Sequence, residues 1–94
     1  VAEYHLPDPS ESILDEAARL TATEREAAYG RPLDNHLRIA RIWTAILGTT
    51  VTPGQVALCM AGVKLSRLAA TPSHRDSVVD LAGYARVYQR IEGI

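Results

Sequence analysis

The sequence predicts an all-α fold, a compact bundle of about four helices. Three observations support this. Apolar residues recur at i, i+3, i+4 spacing in four successive segments, the pattern of amphipathic helices. No segment sustains the period-2 alternation of a half-buried strand. Helix start and stop signals stand between the segments rather than inside them.

Taken in order, residues 1–10 carry Pro7 and Pro9 among polar neighbours and read as an extended N-terminal arm, leaving 11–94 as one helical domain. Ser10 or Ser12 offers an N-cap, and Ser12-Ile13-Leu14-Asp15 has capping-box spacing. Ile13, Leu14, Ala17, Ala18 and Leu20 share the broad apolar face of a first helix. The polar stretch Thr21 to Glu26 either continues that helix or breaks it, and Tyr29-Gly30-Arg31-Pro32 is a turn by composition. A second helix is expected from Leu33 or Asp34 to Leu47, closed by Gly48 in a left-handed cap. Thr52-Pro53-Gly54-Gln55 is the clearest start in the chain: a Thr cap, Pro at the first helical position and Gln three residues after the cap. The third helix then runs to about Ala70, with Lys64, Ser66 and Arg67 its only strongly polar residues beyond Val56, so it is expected to be the central element. After Thr71-Pro72-Ser73, a fourth helix begins between His74 and Ser77 and ends near Ile91.

Composition narrows the function classes. The 94 residues and 10.2 kDa suit a single domain. Such a short chain buries only roughly 60–65% of its unfolded surface, so a homo-oligomer is expected. A net charge of -1 opposes general nucleic-acid binding and membrane-surface binding, which need excess positive charge. No apolar run is long enough to span a bilayer, and the N-terminus shows no signal pattern, so a cytoplasmic protein is expected. One cysteine, Cys59, precludes a disulfide within the chain; it reads as an inert core thiol. Nine of the ten basic residues are arginine, an imprint of GC-rich coding that makes the one lysine, Lys64, more conspicuous.

Candidate chemistry is concentrated on the last two helices. Asp76, Asp80 and Tyr84 are spaced i, i+4, i+8 and share a face. Two carboxylates so placed repel each other and call for a nearby cation, for which a divalent metal would serve. Lys64 and Arg67, at i, i+3 in an apolar segment, must snorkel, pair with those carboxylates or meet an anionic ligand such as phosphate. Glu16 borders the apolar face of the first helix and is placed to point into the same interior. Around the first turn, Arg25, Tyr29 and Asn35 form a second group, since a tyrosine can stack on a base and an asparagine can hydrogen-bond to it. There is no Gly-rich phosphate loop and no glycine-flanked nucleophile; His5, His36 and His74 lack i, i+4 partners and read as surface or capping residues.

The order Ile13-Leu14-Asp15-Glu16-Ala17, Arg25, Tyr29-Gly30-x-Pro32, Asn35, Ile39-Ala40, Trp43, then Thr52-Pro53, Met60, Lys64-Leu65-x-Arg67-Leu68 and His74-x-Asp76-Ser77-x-x-Asp80-Leu81-Ala82-Gly83-Tyr84 resembles a small all-helical phage protein family of unknown function. More distantly, the helical plan is similar to that of MazG-type nucleotide pyrophosphohydrolases. That resemblance implies Mg held by acids on several helices, here Glu16, Asp76 and Asp80, although the dense E-E-x-x-E cluster of that type is absent.

Three functions fit these residues. The first is nucleotide or phosphate binding without turnover, with Lys64 and Arg67 on phosphate and Tyr29, Asn35, Arg25 and Tyr84 on the rest of the ligand. In the cytoplasm of a phage host, such a protein would sequester or sense nucleotides. The second is a Mg-dependent phosphohydrolase. The third is a ligand-free interaction module that pairs through its apolar third helix with its own copy or with a host protein.

Overall fold

The computed structural model describes residues 11–24 and 31–94, which form four α-helices and one π-helical turn, with no strand among them. The expected arm over residues 1–10, and Arg25 and Tyr29, lie outside the described residues.

Helix α1 spans Ile13–Arg19. It starts because Ser12 is extended and its hydroxyl accepts the Asp15 N–H at 3.1 Å, while Asp15 and Glu16 sit at the positive end of the helix dipole. Beyond it Leu20–Glu24 widen into a π-helical turn, so the polar stretch continues the helix this far. Thr21 is buried there, and its hydroxyl donates to the Ala17 carbonyl at 2.7 Å.

Helix α2, Pro32–Leu47, begins on a proline, whose missing N–H costs nothing in the first turn, and ends at Gly48 with φ 71°. Helix α3, Pro53–Ala70, opens with the full capping box: Gln55 N–H to Thr52 Oγ1 at 3.1 Å and Thr52 N–H to Gln55 Oε1 at 2.9 Å. Between α2 and α3, the Thr44 hydroxyl accepts the Val51 N–H at 2.8 Å. Helix α4, Arg75–Glu92, is capped by His74, whose Nδ1 accepts the Ser77 N–H at 3.3 Å. The helix boundaries follow the sequence signals closely.

The order of importance among the helices does not follow them. Helix α4, rather than α3, makes the most extensive packing, with α3 and then α1, while α2 packs more on α3 than on α4. The core is small and aliphatic: Ala17, Ala40, Val56, Ala57, Val79 and Val87. Helix α3 buries Gly54, Val56 and Ala57 in its first turns, but Leu58, Val63 and Leu65 are more than half exposed. Its apolar belt is wider than its described neighbours cover. Cys59 lies on that outward side and is exposed, contrary to the core thiol expected.

Charged ties hold α1 to the hub. Arg75 binds Glu16 and also donates to the Glu11 carbonyl at 3.4 Å, while Arg19 grips the Glu11 carboxylate at 2.9 and 3.1 Å. Arg90 donates to the Thr21 carbonyl at 2.9 Å, taking up a carbonyl at the start of the π turn. Among the described residues no helix is long and apolar enough to cross a membrane.

Candidate functional site

A cavity of about 270 Å³ lies where α1, the π turn, α2, α3 and α4 meet. Its wall is apolar toward Ala17, Val79 and Val87 and polar toward Asn35, His36, Lys64, Asp80 and Tyr84. Helical spacing explains the arrangement. Asp80, Gly83, Tyr84 and Val87 are one stripe of α4 at i, i+3, i+4, i+7, and Pro32 and His36 are successive turns of α2. Gly83 lets α4 approach the π turn, since a Cβ there would stand 3.2 Å from Thr21 Cγ2.

Lys64 Nζ and Asp80 Oδ2 are 3.0 Å apart with side chains 26% and 29% exposed, so the pair is largely withdrawn from water. An ammonium has three donors, and one directed at Asp80 leaves two for the cavity that Lys64 lines. His36 is buried, with Nδ1 2.9 Å from the Pro32 carbonyl; a carbonyl only accepts, so Nδ1 is the donor. Its ring meets Tyr84 edge-on, centroids 6.3 Å apart at 67°, which sets the orientation of both rings at the cavity.

Of the residues the sequence singled out, Asn35, Lys64, Asp80 and Tyr84 come together at this cavity. Arg67 does not line it: the residue is exposed, with Nη2 3.4 Å from His74 Nε2 at the α3–α4 turn. Asp76 is exposed, and Glu16 is engaged by Arg75. The three carboxylates therefore do not assemble one Mg ligand set, and no group of three His, Cys, Asp or Glu among the described residues is placed to hold a metal ion. Asp76 and Asp80 are one turn apart on α4, and of the two only Asp80 lines the cavity.

Three residues escaped the sequence reading. His36 was expected at the surface or as a cap, yet it shares a buried stripe with Pro32 and Ala40, which the i, i+4 spacing could have revealed. Thr21 sits in a polar stretch that gives no periodic signal. Arg75 had a usable signal: a cation at a helix N-terminus opposes the dipole, which marks a carboxylate from elsewhere, here Glu16.

A helical domain whose helices enclose a small cavity ending in one ion pair is the class of protein these features define. The chain belongs to the family described as a domain of unknown function, DUF6378, whose model matches residues 12–92. It is 43% identical over 82 residues to the Gene 55 protein of Mycobacterium phage D29, covering 87% of this chain and 54% of that protein. It is 39% identical over 82 residues to the Gene 55 protein of Mycobacterium phage L5, covering 86% of this chain and 53% of that protein. The chain thus spans about half the length of these curated relatives. No solved structure matches it significantly.

Proposed function

We propose that this domain binds a small anionic nucleotide without turning it over, and that it sequesters or senses that nucleotide for the phage. The observation that carries this reading is the convergence of Asn35, Lys64 and Tyr84 with Asp80 on one cavity. At about 270 Å³ the space falls just below the usual range of ligand sites, about 300–1,000 Å³, so it suits a single nucleoside unit rather than a dinucleotide. The base packs against Tyr84 and His36 and hydrogen-bonds to Asn35, while a phosphate takes the remaining Lys64 donors. Binding without turnover is favoured because Asp80 and Glu16 are already neutralised by Lys64 and Arg75.

The test is thermal melting against mono-, tri- and cyclic nucleotides, each with magnesium and with EDTA. A ligand at 100 times its Kd stabilises by ~2.7 kcal/mol, which in a domain of this size is a shift of about 10–20 °C. The expected result is a shift that survives EDTA and vanishes in Lys64→Met and Tyr84→Ala. A shift that requires magnesium would redirect the reading to metal-assisted hydrolysis. No shift with any nucleotide would overturn it and leave the ion pair a structural feature.

A further inference from the structure

We infer that the exposed face of α3 is a dimerisation seam, and that its occupant is α3 of a second copy of this chain, running antiparallel. Leu58, Gly62, Leu65 and Ala69 recur at 4-3-4 spacing, the period of a coiled-coil seam, and all four are exposed, the two leucines by 54% and 55%. The spacing is self-complementary. Two antiparallel copies centred between Val63 and Lys64 set Leu58 opposite the partner's Ala69, and Gly62 opposite the partner's Leu65, so each large side chain meets a small one.

Gly62 points the same way. Glycine within a helix destabilises it, and here nothing among the described residues requires one, because a Cβ at Gly62 would meet none of their atoms within 4 Å. Opposite a partner's Leu65, the missing side chain is what admits a close approach. Charge favours a like partner as well. The positions flanking the seam are Cys59, Ala61, Ser66 and Leu68, none of them charged, so two copies meet without repulsion and no pattern selects an oppositely charged stranger. Along one side runs an apolar groove of about 480 Å³, lined by residues including Leu14, Ala61, Leu81 and Ala85, and it extends the contact onto α1 and α4.

The experiment is sedimentation velocity of the full chain across a concentration series from low to high micromolar, alongside Leu65→Glu and Gly62→Leu. The expected result is a concentration-dependent species of twice the chain mass for the wild type and monomers for both variants. Gly62→Leu should also keep or raise the monomer's Tm, because it fills open space and improves helix propensity, which separates seam loss from misfolding. A wild type that stays monomeric throughout, a stoichiometry other than two, or a dimer unaffected by Gly62→Leu would each overturn the inference.

Discussion

Replacing Lys64 separates what the ion pair does for the fold from what it does for a ligand. Lys64→Met keeps the aliphatic stem but leaves the Asp80 carboxylate, 29% exposed, without its partner at 3.0 Å. Exposed pairs are worth ~0.2–1 kcal/mol, and breaking a fully buried pair costs ~3–5 kcal/mol. A pair about one-quarter exposed falls between, so the single change should cost about 1–2 kcal/mol, or roughly 5–15 °C in Tm for so small a domain. Asp80→Asn alone should cost a similar amount, by leaving the ammonium uncompensated. The double variant Lys64→Met, Asp80→Asn removes both charges and should recover to within about 0.5 kcal/mol of wild type, a coupling of at least ~1 kcal/mol. Urea unfolding of the four proteins, followed by far-UV circular dichroism, measures this cycle. Additive single losses, with coupling below ~0.3 kcal/mol, would refute the claim that the pair acts as a withdrawn unit. The same double variant tests the function: it should be stable yet unresponsive to nucleotide. A retained ligand-induced shift would exclude Lys64 as the phosphate contact.

Further outcomes follow from the helix ends and the π turn. Gly83→Ala places a Cβ 3.2 Å from Thr21 Cγ2, whose hydroxyl is tied to Ala17. The crowding should outweigh the ~1 kcal/mol propensity gain and destabilise by about 1 kcal/mol, with Thr21→Ser, which lacks the methyl, restoring the loss in a thermal-melt cycle. His74→Ala removes the N-cap of α4 and should cost ~1 kcal/mol in urea unfolding, whereas His74→Asp should keep the cap and add a carboxylate beside Arg67. The Arg31 hydrogen bond to Asp34, 2.9 Å long, holds that carboxyl below the usual carboxylate range. A lowered folded-state value gives stability that is present above the ordinary range and lost as pH falls through it. Tm between pH ~5 and ~3 should therefore fall less steeply in Asp34→Asn than in wild type.

Much of the fold was legible because its signals are local. Thr52-Pro53-Gly54-Gln55 places the start of α3 and Gly48 the end of α2, since caps depend on residues within one turn. The hierarchy of helices was not legible from hydrophobicity. Helix α3 is apolar around most of its circumference, yet α4, with a narrower stripe and small residues Ser77 and Gly83 at its contacts, is the one its neighbours can approach. For the site, i, i+4 and i, i+3 spacing placed Asp80 and Tyr84 on one wall and Lys64 on the facing helix. Which cation meets which acid depends on the rotation of α1 against α4, a long-range property with no local trace. Hence Glu16 went to Arg75 instead of joining Asp80.

The ties of α1 have a consequence for how the molecule opens. Helices α3 and α4 are consecutive and joined by Thr71–His74, so their contacts close a short loop, whereas α1 reaches α4 through Glu16–Arg75 and Thr21–Arg90, residues 59 and 69 positions apart. The longer loops cost more closure entropy, so α1 with its π turn is expected to dock after the α3–α4 hairpin and to detach before it. Ala17, Leu20 and Thr21 are one wall of the cavity. Detachment of α1 would also open the cavity, and amide exchange in α1, expected to be faster than in α4, would report how often the cavity stands open.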